Sequence, residues 1–377
     1  MKRTGVAKLT LHYGRAPKWL VLRMQKLARE MVAVIVDEYG QDEFLRRISD
    51  PFWFQALGCV LGYDWHSSGV TTVLTGILKS AINPTEQGLV VCGGKGKASV
   101  KAPLEISRLG EKFDFSADKI DRLQYASRMS AKVDNAAIQA GYPLYHHAFF
   151  VTEHAKWAVV QQGINVQDRT ARRYHWIKEG LSKDSFVVEP HAAIVGETQR
   201  EAVLDLTARE SEECREASVD LSKEKPTRVK RLLESVRPGW QKSLMSWIPG
   251  SVDKGYVVDV LSMPRRVNWN ALRGAYEFQP KNYEELLSIK GIGPATVRGL
   301  ALVSQIIYGK PASWKDPVKY SFAYGGKDGV PYPVNREAMD ESILILKQAI
   351  QEAQLGKKDK IRSLERLRQV VPDSIAL

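Results

Sequence analysis

The chain has 377 residues, 44% of them hydrophobic and 26% charged, with no biased tract, which is enough for two or three domains with cores of their own. No run of about 18 apolar residues occurs, and the start MKRTGVAKLTLHYG lacks the apolar centre of a signal peptide, so the reading is an intracellular protein with no membrane span. The net charge of +12 favours a polyanionic partner, and three scattered cysteines, Cys59, Cys92 and Cys214, argue against a disulfide scaffold and against an iron–sulfur cluster.

Residues 18–39 predict an amphipathic helix, with Leu20, Met24, Leu27, Met31 and Val34 on one face and Gly40 as its stop. A shorter helix to about Ile48 follows, and then a heavily apolar segment, Phe52 to Leu61, that reads as core. The stretch GYDWHSSGVTT, residues 62–72, crowds an acidic residue, a histidine and four hydroxyls into a glycine-bounded loop ahead of a helix. Asp64 and His66 are candidate metal ligands or proton carriers there, while Ser67 or Ser68 suits a helix cap. Residues 89–92 read as a strand running into Gly93-Gly94-Lys95-Gly96-Lys97. Ala98 after Lys97, and Val91 in place of a first glycine, set this loop apart from a nucleotide-hydrolysing P-loop. A phosphate contact and a plain hairpin tip both stay open for it.

A long helix is predicted over 119–140, with Arg122, Arg128, Lys132 and Asp134 on its polar face. Two runs of β-branched and aromatic residues, 145–152 and 157–163, flank Glu153-His154-Ala155-Lys156 and predict a β-hairpin. DRTARRYHW, residues 168–176, reads as a basic, aromatic helix start. Arg172 and Arg173 would grip phosphates there and Tyr174 and Trp176 would stack on bases, the alternative being a solvated face with its aromatics turned inward. Residues 186–188 look strand-like. All seven histidines lie between His12 and His191. With Asp64, Glu153 and Asp168 they are the reservoir of metal ligands and general bases. Asp64, His66, His147 and Glu153 are the candidate ligands of a divalent ion, Mg or Mn, with Lys156 beside them. The order Asp64 … Glu153-x-x-Lys156 is similar to the Asp … Glu-x-Lys of restriction-type nucleases, with one residue too many.

Residues 197–235 change character: 197–224 carry 4 basic against 9 acidic residues, and an exposed helical connector is expected. The division is a 1–196 α+β catalytic domain, a 197–227 connector and a 228–377 helical domain. Residues 225–377 carry 25 Lys and Arg against 15 Asp and Glu. Within it, 286–308 reads LLSIKGIGPATVRGLALVSQIIY. An apolar helix end meets Gly291-Ile292-Gly293, and a second helix leaves from Pro294 with Val297, Leu300, Ala301 and Ser304 on one stripe. The glycines permit positive backbone angles and bare the backbone, Ile292 plugs the turn into the core, and the free amides of the second helix face outward. The segment 284–308 resembles a helix-hairpin-helix, the sequence-independent DNA backbone binder. That resemblance implies DNA contacts from Gly291, Ile292, Gly293, Ala295, Thr296 and Arg298, supported by Arg172, Arg173 and Lys327. Beyond it come an aromatic, glycine-rich loop over 320–336, a helix over 339–354, and a basic tail.

Residues 286–316 are also similar to the helix-hairpin-helix base-excision glycosylases, which carry a catalytic aspartate shortly after the second helix. Asp316 fills that place, with Tyr320, Tyr324 and Tyr332 to stack on an extruded base. Ala295 stands near the position where strand-cutting members carry a lysine, which disfavours a Schiff-base lyase. The whole chain resembles an archaeal and bacterial family catalogued as a domain of unknown function. The Gly-Val-Ala start, DWHSSGVTT, VVQQG, ARRYHW and DPVKYSFAYGGKDG…PYPV carry that likeness, which implies no activity. The expectation is an α+β protein of the cytoplasm and nucleoid that processes DNA. A metal-dependent repair nuclease comes first, then a glycosylase acting through Asp316, then a non-catalytic DNA-binding scaffold.

Overall fold

The computed structural model describes residues 18–63, 68–181, 185–196, 199–236, 264, 266–318, 336–353 and 356–370. In chain order the helices are α1 (Lys18–Ser49), α2 (Pro51–Leu61), α3 (Gly69–Ala81), α4 (Pro84–Gln87), α5 (Ala102–Ser107), α6 (Leu109–Phe113) and α7 (Ala117–Lys132). They continue with α8 (Glu212–Ser222), α9 (Pro226–Ser235), α10 (Trp269–Phe278), α11 (Tyr283–Ser288), α12 (Pro294–Tyr308), α13 (Arg336–Glu352) and α14 (Lys357–Val370). The strands are β1 (Leu89–Lys95), β2 (Ile138–Gln139), β3 (Leu144–Thr152), β4 (Trp157–Asn165), β5 (Thr170–Ile177), β6 (Ala193–Gly196) and β7 (Leu204–Asp205). The fold is α+β, as expected.

The strands β1-β3-β4-β5-β6 form an antiparallel sheet in that order, and β2 pairs with β7 apart from it. The predicted hairpin is β3–β4, with Val151 opposite Trp157. Gly40 breaks the helical geometry of α1 where the stop was expected (φ 83°). β1 runs on through Gly93 to Lys95, so those glycines belong to the sheet rather than to a loop tip. A Cβ on Gly93 would lie 2.2 Å from the His147 carbonyl oxygen, so the close strand approach requires glycine.

Helices cover both faces of the sheet. Phe44, Trp53, Phe54, Phe150, Val160 and Ile350 belong to the core under α1, α2, α3, α13 and α14. Phe149, Val159, Trp176, Cys214, Leu286 and Leu300 belong to the core on the other face, which α5–α12 share with β2 and β7.

Two-sided burial explains where the structure departs from expectation. Residues 170–177 form β5, not a helix start, and all eight are buried. A strand covered on both faces loses the in–out alternation that announces it. Residues 212–222, expected within an exposed connector, form α8, which packs on α12 through Cys214, Ser218 and Leu221. Its carboxylates Glu212, Glu213, Glu216 and Asp220 occupy the outer face, and they dominate the composition. Residues 357–370, read as a tail, are helical: Arg366 donates from Nη1 to the Val60 carbonyl at 3.1 Å, near the C-terminal end of α2. Residues 186–188 make bends rather than a strand.

Candidate functional site

The turn between α11 and α12 is built as its residues dictate. Asn282 caps α11, accepting the Glu285 amide at 2.8 Å, and the Ile292 amide closes back on the Ile289 carbonyl at 3.2 Å. Gly291 has φ 90°, and a Cβ there would meet Asn268 Nδ2 at 2.8 Å and Ala271 Cβ at 3.0 Å. Conformation and space both demand glycine at that position. Gly293 departs from expectation: its φ is −112°, and nothing lies closer than 4.0 Å to an added Cβ. Its missing side chain leaves open space in front of the backbone. Ile292 is fully buried (0% exposed) while Lys290, Gly291 and Pro294 are exposed, so a core anchor holds out a bare turn.

The first turn of α12 carries no side-chain cap, and its first amide bonded within the helix is that of Val297, to the Gly293 carbonyl at 3.0 Å. Pro294 has no amide to lose; those of Ala295 and Thr296 belong to the unbonded first turn. The Thr296 hydroxyl accepts the Asn268 amide at 3.2 Å, tying the turn to α10. Cations surround it. Lys132 reaches from the end of α7 to donate to the Ile289 carbonyl at 3.4 Å, and burial holds its pKa below the ordinary lysine value. Arg298 donates from Nε to Gln139 at 2.8 Å, and Gln139 in turn donates to the Pro294 carbonyl at 2.8 Å.

Among the described residues, the predicted catalytic residues are dispersed. Asp64, His66, Lys327, Tyr320, Tyr324 and Tyr332 lie outside the described residues. Glu153 is at the exposed tip of the β3–β4 hairpin, accepting from Gln41 at 2.6 Å, and Lys156 in the same turn pairs with Asp42 and Glu179. His147 is buried six residues back along an extended strand, roughly 20 Å away. Its Nδ1 bonds Gln161 Oε1 at 2.7 Å and its Nε2 bonds Ser127 Oγ at 2.9 Å, so both ring nitrogens are engaged. His147 and Glu153 therefore do not fit a shared metal ion. No group of three or more potential ligands converges among the described residues.

His147 belongs instead to a buried chain whose donors all run toward one carboxylate. Gln161 Oε1 can only accept, so His147 Nδ1 carries the proton and Nε2 accepts from Ser127. Gln161 then donates to Asp134 at 2.5 Å, Trp176 Nε1 donates to the same oxygen at 2.9 Å, and His191 bonds the other. Burial pushes the Asp134 carboxyl up against these donors, and pulls His147 down to about 4. Asp134 was expected on a solvated helix face. It sits instead in a π-turn after α7, facing inward with Ser127 and Ser130. Their three- and four-residue spacing with Leu123 was the available signal.

On the opposite face a cross-strand row runs Lys95, His146, Gln162, Arg173. Gln162 donates to the Ser68 carbonyl at 2.9 Å and to Tyr145 Oη at 2.6 Å, while His146 bonds Thr75 Oγ1 at 2.9 Å. Gln162 thus holds the start of α3 and His146 its middle.

Arg172 and Arg173, read as phosphate contacts, are both fully buried. Arg173 lies over the Phe54 ring at 4.6 Å and bonds Gln55 at 3.3 Å. Arg172 pairs with Asp316 at 2.7 Å, the two side chains 0% and 1% exposed, and stacks on Tyr142 at 4.6 Å. Asp316 also accepts the Arg200 amide at 2.7 Å and the Val318 amide at 3.1 Å, so it serves as a structural clasp out of reach of a flipped base. Among the described residues, Gly291, Gly293, Ala295 and Arg298 come together in the turn at the surface, with the Ile292 and Thr296 side chains buried beneath it; sequence reasoning missed their supports, Lys132, Gln139, Asn268 and Lys290.

No helix among the described residues is long and apolar enough to cross a membrane. Neither a curated protein nor a solved structure matches the chain. Residues 5–334 match the family described as "Protein of unknown function (DUF763)", and the chain belongs to that family.

Proposed function

We propose that this protein binds DNA through its phosphate backbone, with the 289–296 turn as the contact. The observation that supports this most is the exposed Gly291-Ile292-Gly293-Pro294 turn, anchored by the buried Ile292 and opening an uncapped fifteen-residue helix. Oriented amides and the positive end of the helix dipole suit an anion, and the backbone is bare enough for a phosphate to approach. Lys290, Lys132 and Arg298 add positive charge at the same place. The carboxylates of Glu284 and Glu285 sit at the far end of α11. The turn resembles a helix-hairpin-helix, and such contacts carry no sequence preference. Metal-dependent hydrolysis gains no support from His147 and Glu153, nor base excision from Asp316, so binding is the function proposed.

Gly293→Glu tests this cleanly, because the site has room and ordinary backbone angles for a side chain. Gly293→Glu and Lys290→Glu should each weaken binding of a blunt duplex by about tenfold or more, for two unrelated sequences alike, with unfolding midpoints unchanged. Unaltered affinity in both variants would overturn the assignment.

A further inference from the structure

A cleft of about 830 Å³ opens between α7 and the β3–β4 hairpin, within the size range of ligand pockets. Its inner wall is aromatic: Trp157 and Phe186 are buried there, and Tyr125 is half-buried at its edge. Trp157 and Phe186 lie parallel at 5.9 Å between ring centres, 9° apart, and Tyr125 meets Phe186 edge-on at 5.6 Å. Its rim is basic: Lys119, Arg122, Arg128 and Lys178 line it against one lining carboxylate, Asp121, while Arg122 also pairs with Asp118 at 3.0 Å. The half-buried Tyr125 ring, backed by that apolar wall and set within a cationic rim, matches the two halves of an unpaired nucleotide, base and phosphate.

The cleft is also coupled to the turn. The Tyr125 hydroxyl donates to Glu284 Oε1 at 2.7 Å and the Phe186 amide donates to its Oε2 at 3.1 Å, so the first residues of α11 hold both rings. Seven residues along α7 separate Tyr125 from Lys132, a rise of about 10 Å, with Arg128 between them. That is roughly three base-pair rises along a duplex axis.

We propose that this cleft takes unpaired nucleotides of a DNA strand whose duplex part rests on the 289–296 turn, making duplex–single-strand junctions the preferred ligand. This rests on the binding function proposed above and adds the class of DNA structure to it. The test is fluorescence anisotropy with a blunt duplex, the same duplex bearing a ten-nucleotide dT extension at either 3′ or 5′ ends, a free dT strand, and an rU extension. A dT extension should tighten binding at least ~5-fold, the lower end for one base stacked on an aromatic ring. Tyr125→Ala should abolish the gain and Tyr125→Phe keep it. The double variant of two exposed residues, Lys119→Glu with Lys178→Glu, should shrink the gain by more than it weakens blunt-duplex binding. Bromodeoxyuridine in the extension should crosslink to residues 119–128 or 154–157. No gain from either extension, or a gain that survives both Tyr125→Ala and the double charge reversal, would overturn the proposal, and a gain confined to rU would make the ligand RNA and overturn it for DNA. If blunt-duplex binding ignores Gly293→Glu while free dT still depends on Tyr125, the cleft stands and the turn assignment falls.

Discussion

A single residue type changes meaning with its burial. Arg172, Arg173 and Asp316 look like a phosphate grip and a catalytic acid in the sequence, yet two of them form one interior ion pair across 144 residues. No local pattern announces a partner that distant, so only the fold reveals it. Removing one member of a buried pair leaves the other charge uncompensated, at a cost of about 3–5 kcal/mol. Asp316→Ala should therefore lower the urea midpoint by that equivalent while duplex affinity, measured where the variant is still folded, stays within about twofold. Selective loss of DNA binding at full stability would contradict the clasp role. The buried histidines set a pH dependence. Burial lowers His146 to about 3 and His147 to about 4, from 6.5 in an unfolded chain. Below pH 6.5 the unfolded chain binds protons that the folded one refuses. Their stabilising contribution is therefore intact above pH 6.5 and is lost as pH falls toward 4, at up to ~1.4 kcal/mol per pH unit per histidine. Urea midpoints should drop between pH 7 and pH 5, and His147→Gln should flatten that slope. A midpoint that rises on acidification would refute this.

Elements were legible where a wet side or a polar turn marks them: β3 and β4 are nearly as buried as β5, and the polar residues 153–156 between them announce the hairpin. The kink at Gly40, the β3–β4 hairpin, and α11 and α12 with their glycine punctuation all follow from period and turn chemistry. β5 and α8 did not. β5 is buried on both faces, and the acidic outer face of α8 masks an inner one of small residues, Cys214 and Ser218, that let α12 approach closely. The turn itself was half legible: Gly291 carries the positive angle, whereas Gly293 is ordinary backbone. The two glycines should then part company on mutation. Gly291→Ala should destabilise the protein by about 1–3 kcal/mol, through a left-handed φ and the crowding of Asn268 and Ala271. Gly293→Ala should fall within about 0.5 kcal/mol of wild type in thermal or urea unfolding. Equal costs at both positions would mean the turn has another geometry.

For the whole molecule, a charge of +12 acquires meaning from where the fold spends its cations. Among the described residues Arg47, Arg172, Arg173 and Arg215 are interior, and several others are matched by carboxylates within one helix turn, as Arg228 is by Glu224 at 2.9 Å. Lys290, Lys132 and Arg298 lie at the foot of an uncapped helix, beside a cleft edged by Lys119, Arg122, Arg128 and Lys178, with Arg122 paired to Asp118. Charge counts along the chain placed the basic excess near the hairpin, but not the contribution of α7, which lies more than 150 residues earlier and arrives only through packing. The phosphate binding proposed for this turn would make affinity fall linearly in log K against log salt, by about 0.9 per phosphate neutralised. The most direct measurement is that salt slope for a blunt duplex, wild type against Lys290→Glu. A steep wild-type slope, lowered by about 1 in the variant and the same for any duplex sequence, is the predicted result. Affinity that ignores salt, or a slope that Lys290→Glu leaves untouched, would contradict it.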